Sequence, residues 1–463
     1  MDTQETRELL LAAAERSLRY LEGLDARPVF PQAEAVARLR AALEAPLPEA
    51  PRAAAEVLAA IDDLGSPATV AGAGGRYFGF VTGGALPASV AAHWLATAWD
   101  QNAFSRISSP ALACFEEAAL RLVLEALDLP AEAEGALVTG ATMGNFTCLA
   151  AARHRLLAQA GWDVEARGLF GAPEIQVVIG ESAHASVAKV LALLGLGRER
   201  VVRVPVDDQG RLRPEALPEL RAPTILCLQA GEVNSGAFDP AAELIPRAQA
   251  AGAWVHVDGA FGLWARAAPR FAGLTRGLEQ ADSWAADAHK WLNVPYDCGL
   301  ALVRDPAALR GAFAVTGAYL EPSGGRDAID LTPDNSRRAR ALDVWAALQA
   351  LGRSGLAELV ERNCDQARRF AEGLRAAGLE VLNDVVLNQV LVAFGDDART
   401  ARVLRALQED GVCWCGGTRW RGRAAMRISV SSWATSSQDV EASLESILAA
   451  HEGADAEDTA GPA

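Results

Sequence analysis

The chain has 463 residues, 51% of them hydrophobic and 22% charged, which is the composition of a globular protein with a large core rather than of a disordered chain. Against 59 acidic residues stand 43 basic ones, and the formal net charge of −16 argues against nucleic acid or an anionic membrane as the main partner. No apolar stretch reaches the roughly 18–20 residues of a membrane span, and MDTQETRELL has no apolar leader, so no membrane partner is expected and the cytoplasm is the expected compartment. The seven cysteines are scattered and odd in number, which suits reduced thiols. Cys413-x-Cys415 lacks both the spacing and a nearby histidine for a metal site, so no metal is expected.

Residues 1–75 read as a helical segment. Leu and Ala recur with helical period through LLLAAAERSLRYLEGL, EAVARLRAALEAPL and AAEVLAAIDDLG, with Pro between the runs. Such a segment is too small for a stable core of its own, and packing on the body or on a second subunit is expected.

Residues 76–315 alternate. RYFGF and a Gly-rich turn lead to helices in ALPASVAAHWLATAWDQ and SPALACFEEAALRLVLEALDLP. Seven short apolar runs follow, most of them with a helix after them: GALVTG, EIQVVIGE, RVVRVPVD, PTILCLQAG, AWVHVDGAFG, SWAADAHK and CGLALVRD. This alternation predicts an α/β fold with a mostly parallel central sheet and flanking helices. Ligands of such sheets bind at the carboxyl ends of the strands.

Residues 316–450 predict a smaller α+β domain. Its elements are a long helix from about Arg338 to Leu374 interrupted near Gly352, strands in LEVLN, NQVLVAFG and AAMRISVSS, a helix in ARTARVLRALQEDG, and a closing helix from Gln438. The tail, 451–463, is small and acidic and is expected to be disordered.

One count directs attention to chemistry. Among the basic residues 41 are Arg and two are Lys, Lys189 and Lys290. Arg replaces Lys in most structural work, but its guanidinium stays protonated and cannot form a Schiff base. Lys290 follows the apolar run SWAADAH, where a partly desolvated amine becomes nucleophilic.

Asp258 ends the run WVHVD. In that place a carboxylate can cap a helix, bind a metal or a ribose, or partner a protonated heterocycle. Together, Lys290 and Asp258 point to pyridoxal phosphate, which needs an amine for its aldehyde and an acid for its ring nitrogen. The segment GALVTGATMGNFTCLAAARH supplies a strand, small residues and a helix start for a phosphate. His184 follows VVIGESA and could stack on the cofactor ring.

These segments resemble the group II pyridoxal-phosphate-dependent amino acid decarboxylases, which include the aromatic-L-amino-acid, glutamate and tyrosine decarboxylases and share the aspartate aminotransferase fold, fold type I. The resemblance runs from about Tyr77 to Thr435, through FGFVTGG, SSPALACFEEAAL, TGATMGN, SAHASVAK, AGEVNSGAFD, HVDGAFG, DSWAADAHKW, GAYL and RRARALDVWAAL. The pattern Asp-Ser-x-x-x-Asp-x-His-Lys-Trp is the most specific of them.

The resemblance implies that Lys290 forms the Schiff base, that Asp258 pairs with the ring nitrogen, and that Ala260 lies under the ring. It implies that His184 stacks on the opposite face, near the substrate carboxylate, and that Ala141 and Thr142 hold the phosphate with help from His289. Asp287 stands where relatives can have Asn. Tyr319 aligns with the mobile-loop tyrosine that protonates the substrate carbon, often across a dimer interface, and Phe at that position favours aldehyde in plant relatives.

Where relatives often have Gly-Thr-Thr, this chain has Gly231-Glu232-Val233-Asn234, and Asn234 or Ser235 could substitute for the missing contacts. The implied function is decarboxylation of an L-amino acid in a homodimer with shared active sites. A transaminase or carbon–carbon lyase of the same fold, or an aldehyde-forming decarboxylase, would share Lys290, Asp258 and the phosphate loop. A non-catalytic cofactor-binding protein is the remaining alternative. Trp99, Trp264 and Trp291 can equally line a pocket or fill the core.

Overall fold

The computed structural model of the chain describes residues 2–314 and 324–460, the last six without their side chains. The chain divides into two compact units. One comprises Met1–Thr82, Arg369–Val381 and Leu391–Ala463, the other Gly83–Arg368 and Leu382–Val390.

The first unit begins with the three predicted helices, α1 (Thr3–Glu22), α2 (Ala33–Leu43) and α3 (Ala54–Gly65). Asp2 starts α1 with a capping box: its carboxylate accepts the Glu5 N–H at 2.8 Å, and Glu5 accepts the Asp2 N–H at 3.0 Å. Arg16 of α1 donates to Asp62 and Asp63 of α3 at 2.6 and 3.0 Å. None of the three helices contains a fully buried residue. Leu10, Leu11, Leu18, Leu43, Val57 and Ile61 all face solvent. Farther on in this unit, Phe30, Tyr77 and Phe80 stack on Trp414 with ring centroids 6.3, 5.1 and 5.6 Å away.

The second unit starts with α4 (Pro87–Trp99) and α5 (Pro110–Ala126) and is built on a seven-stranded sheet. Its strands are β1 (Glu134–Val138), β2 (Gln176–Gly180), β3 (Val202–Val204), β4 (Thr224–Gln229), β5 (Trp254–Asp258), β6 (Ser283–Asp287) and β7 (Gly299–Val303), one on each of the seven apolar runs, with β1 starting one residue before its run. Their order is β1-β7-β6-β5-β4-β2-β3. All the neighbouring pairs from β6 to β3 are parallel, whereas β7 runs antiparallel to β6 and to β1.

The helices that follow the strands are α6 (Ala141–Gln159), α7 (Val164–Arg167), α8 (Ala185–Leu193), α9 (Ala241–Ala250), α10 (Ala272–Thr275) and α11 (Pro306–Phe313). No helix joins β6 to β7, so the chain must turn back on itself and the pair is antiparallel. On one face of the sheet, Leu149 and Cys148 of α6 and Val190 of α8 pack on Ile179, Ile225 and Val303 in a closed apolar cluster. A buried ion pair supports the second unit elsewhere. Arg337 Nη1 lies 2.9 Å from both oxygens of Glu116, and Arg326 lies 3.3 Å from the same carboxylate.

Helix α12 (Arg340–Ala376) is broken at Gly352, whose φ of 60° belongs to no right-handed helix, as its sequence predicts. Beyond it lie β8 (Glu380–Val381), β9 (Gln389–Ala393), α13 (Asp397–Asp410), β10 (Gly416–Trp420), β11 (Arg423–Ser429) and α14 (Ser437–Ala460). The four strands form a second sheet in the order β10-β11-β9-β8. Among the described residues no helix is long and apolar enough to cross a membrane.

Three features differ from the sequence expectations. The division into compact units does not fall at 75 and 315. Past 315 only the periodicity changes; packing with earlier elements continues, for Arg338 binds Asp297 at 3.0 Å and Trp291 binds Asn363 at 3.0 Å. The tail expected to be disordered from 451 is helical as far as Ala460. Its Ala, Glu and Asp residues extend a helix already formed, and elongation is much easier than nucleation. Strand β10 was not expected, because GGTRW has no apolar run. Its pairing with β11 comes from a tight hairpin whose turn, Arg421-Gly422, has φ of 49° and 84°.

Candidate active site

The carboxyl ends of the parallel strands gather most of the predicted residues. Gly140, Ala141 and Thr142 follow β1, and His184 follows β2. The Gly231–Asn234 loop follows β4, Asp258 ends β5, and Asp287 ends β6. The register places Gln229 beside Asp258 and Asp258 beside Ala285, so these ends form one edge.

Lys290 sits in the β6–β7 connection, with its side chain 22% exposed. The loop is closed by its own backbone: the Ala288 and His289 N–H groups donate to Cys298 O at 3.0 and 3.1 Å, and Asn293 N donates to Lys290 O at 3.2 Å. The Cys298 N–H donates to His289 Nδ1 at 3.1 Å, which leaves the ring proton on Nε2. Gly83 touches this loop so closely that a methyl group there would come within 1.8 Å of Lys290 O. Trp291, next in sequence, is wholly buried and donates to Asn363.

Asp287 is the hub of one half of the site. Its Oδ2 lies 3.0 Å from Lys290 Nζ. Its Oδ1 accepts the Ala141 N–H at 2.5 Å and lies 3.4 Å from His289 Nε2. Ala141 is the first residue of α6, so this carboxylate meets the positive end of that helix. Burial pushes His289 below its ordinary value, with Asp287 acting the other way. Tyr296 stacks on His289 with ring centroids 4.3 Å apart. The approach of β7 to the start of α6 leaves no room for a side chain: a methyl on Gly299 would come within 2.5 Å of the Gly140 backbone.

Asp258 is the hub of the other half, and it is buried. Its Oδ2 accepts the Asn145 amide at 3.0 Å, and its Oδ1 takes the Ala260 N–H at 3.3 Å. Burial raises the Asp258 carboxyl above the usual range, while His184, Asn145 and Lys290 each pull it down. His184 therefore lies within electrostatic reach of Asp258. It caps α8, with Nδ1 accepting the Ser186 N–H at 3.2 Å, and its ring is exposed.

These groups fit pyridoxal phosphate. A partly open amine can hold its aldehyde, and a buried carboxylate with one lightly used oxygen can meet its ring nitrogen. A helix start of small residues can take its phosphate.

The remaining candidate residues stand as follows. Asn234 is held by its own turn: its N–H and side-chain amide donate to Glu232 at 2.7 and 3.2 Å. Glu232 is buried, which raises its carboxyl, and it also accepts the Ser235 N–H at 2.7 Å. Trp264 and Trp291 are core residues, while Trp99 is 43% exposed. Tyr319 lies outside the described residues.

Sequence reasoning gave no role to Asn145, Ser283 or Tyr296 and left His256 unassigned. One signal was present for His256. Two residues before Asp258 on a strand, it faces the same side of the sheet.

The profile of the pyridoxal-dependent decarboxylase conserved domain matches residues 37–395. The chain is 30% identical over 370 residues to an L-2,4-diaminobutyrate decarboxylase of Rhizobium meliloti (strain 1021), covering 75% of this chain and 71% of the relative. It is 30% identical over 406 residues to an aromatic-L-amino-acid decarboxylase of Drosophila lebanonensis, covering 80% of this chain and 96% of that one. The solved Oryza sativa TDC with PLP and tryptamine has the same fold, with a TM-score of 0.90 at 23% identity over 98% of this chain and 99% of that one.

Proposed function

The chain belongs to the pyridoxal-dependent decarboxylases, whose reaction is the loss of carbon dioxide from an amino acid, and from that premise we propose the part that each residue plays. Pyridoxal phosphate supplies a ring that accepts the electron pair left when the carboxylate departs.

Lys290 would hold the cofactor through its amine. Asp258 faces the ring nitrogen and keeps it protonated. Ala260 and His184 would hold the ring, and His184 would orient the substrate carboxylate. Ala141 and Thr142 bind the phosphate with His289 beside them, and Asp287 holds Lys290 in reach. Asn234 steadies the Glu232 turn at the rim. Tyr319 returns a proton to the substrate carbon, a role that rests on the sequence resemblance.

Orienting the carboxylate is what selects decarboxylation over transamination, and this is work of positioning and electrostatics. The observation that carries the reading is the convergence of the Lys290 amine, the buried Asp258 carboxylate and the start of α6 on one sheet edge.

We further propose that the protein acts in the cytoplasm as a homodimer with shared active sites. The exposed apolar rows of α1–α3 support this reading, since a second copy of the chain would cover them.

A screen of the cofactor-loaded protein tests the function. The amino acids, diaminobutyrate and cysteine sulfinate are each supplied, and carbon dioxide and amine are read together by mass spectrometry. Equal amounts of the two are expected from one substrate. A keto acid without carbon dioxide would overturn the decarboxylase reading, and an aldehyde would remove Tyr319 from its role.

A further inference from the structure

Behind Asp258 lies a line of polar groups that the reaction does not touch. Trp254 Nε1 donates to Ser283 Oγ at 2.9 Å. Ser283 Oγ lies 2.9 Å from His256 Nδ1, and His256 Nε2 lies 2.9 Å from Asn145 Oδ1. Asn145 Nδ2 then donates to Asp258 Oδ2 at 3.0 Å. Ser283, His256 and Asn145 are fully buried and out of reach of bulk solvent, so their partners within the protein matter.

The direction of this line follows from which groups can donate. An indole N–H only donates, and an ionised carboxylate only accepts. With Asp258 ionised, Asn145 must present its NH2 to Oδ2 and its carbonyl to His256. His256 must then carry its proton on Nε2, and its Nδ1 accepts the Ser283 hydroxyl. Every bond in the line points from Trp254 toward Asp258. If Asp258 instead carried a proton on Oδ2, Asn145 would have to turn over and His256 would have to change tautomer. The charge on Asp258 and the arrangement of three buried side chains are thus one linked choice.

The other titratable groups near Asp258 are Lys290 and His184, which favour its charge, and the buried thiols of Cys148 and Cys227, which burial keeps protonated. Burial likewise keeps His256 neutral, as this line requires.

We propose that Asn145 and His256 are positioning residues that keep Asp258 ionised when the cofactor is bound, so that the shared proton rests on the ring nitrogen and not on the carboxylate. The proposal rests on the assignment of Asp258 to the ring nitrogen. In a buried site the neutral arrangement, carboxylic acid against unprotonated ring, competes with the ion pair. A donor to the charged carboxylate tips that competition. Losing one hydrogen bond to a charged group shifts the proton's partition by about 10–100-fold. A ring without its proton is a weaker electron acceptor, so decarboxylation slows while substrate binding changes less.

The test is solid-state ¹⁵N NMR of protein reconstituted with cofactor labelled at the ring nitrogen. Wild type should show a protonated nitrogen. Asn145→Leu and His256→Leu should move the resonance toward the unprotonated position. His256→Gln can still donate to Asn145 and accept from Ser283, and it should keep the wild-type shift.

Asp258→Asn separates the two levels of the argument. An unprotonated nitrogen in Asp258→Asn with unchanged nitrogens in Asn145→Leu and His256→Leu overturns the proposal alone. A protonated nitrogen in Asp258→Asn overturns the assignment of Asp258 itself. Should the leucine variants fail to fold, Ser283→Ala leaves the Asp258 bond in place and frees His256 to turn. A shift in the same direction supports the proposal, and no shift overturns it.

Discussion

Two regions of this chain treat their side chains in opposite ways. At the edge of the seven-stranded sheet, Asp258, Asn145, His256 and Ser283 are buried, and each polar group has a partner. In α1–α3 no residue is fully buried, and leucines stand in solvent. The first region is finished within one polypeptide. The second has the apolar pattern of helices that bury a face, yet Leu10, Leu11 and Leu18 of that pattern stay exposed. A single chain therefore completes the polar half of the candidate site, while the proposed association of subunits would draw on a surface it displays.

The largest break in this contrast is Lys290→Ala. It should abolish the absorbance band at the violet edge of the visible in cofactor-loaded protein, together with decarboxylation; a band that survives would move the anchor to Lys189.

Next in size is Arg337→Met, which leaves the Glu116 carboxylate buried beside Arg326 alone. Although burial opposes it, Arg337 and Arg326 hold Glu116 below the usual carboxylate range. Removing one partner should cost about 3–5 kcal/mol in urea denaturation. A loss under about 1 kcal/mol would show the pair to be dispensable.

Acid should act on the finished region through His256. In the folded chain burial pushes this imidazole down to about 3, whereas the unfolded chain protonates it near the ordinary 6.5. Between those values the unfolded state binds the extra proton. The stability His256 contributes is thus complete above pH 6.5 and is lost as pH falls toward 3, by up to about 1.4 kcal/mol per unit. His256→Gln should flatten that part of the stability–pH curve, measured by denaturant titration at each pH; equal slopes in the two proteins would contradict the burial argument.

Gly299→Ala should cost about 1–3 kcal/mol, because a methyl group meets the Gly140 backbone. The start of α6 is what moves, so cofactor affinity, read by equilibrium dialysis, should fall as well.

The smallest effect sharpens the other side of the comparison. Ile61→Ser alters an exposed side chain, and the stability of the isolated chain should change by no more than about 0.5 kcal/mol. Self-association, followed by analytical ultracentrifugation, should weaken. Unchanged association would remove α3 from the proposed dimer interface.

Much of this was legible in the sequence. The strands of the main sheet are short apolar runs between breakers, a signal that survives without knowledge of the fold. Lys290 was marked by the scarcity of lysine as much as by its motif. What could not be read was the partnership of residues distant along the chain. Asn145 lies 113 residues from Asp258 and His256 lies 27 from Ser283, and only the register of the sheet brings them together. Asn234 illustrates the converse. Its residue type suited a cofactor contact, but Glu232, two positions earlier, gives its amide a local partner. Strand β10 escaped because its pairing comes from the turn beside it rather than from its own composition.

The closed β6–β7 connection bears on the timing of the step proposed for Lys290. With the backbone around Lys290 tied at Ala288, His289, Asn293 and Cys298, the amine travels by rotation about its own side-chain bonds. Such rotations take picoseconds to nanoseconds, far shorter than the microseconds to milliseconds of loop rearrangement. On the role proposed for Lys290, its return after each turnover would therefore need no rearrangement of this loop.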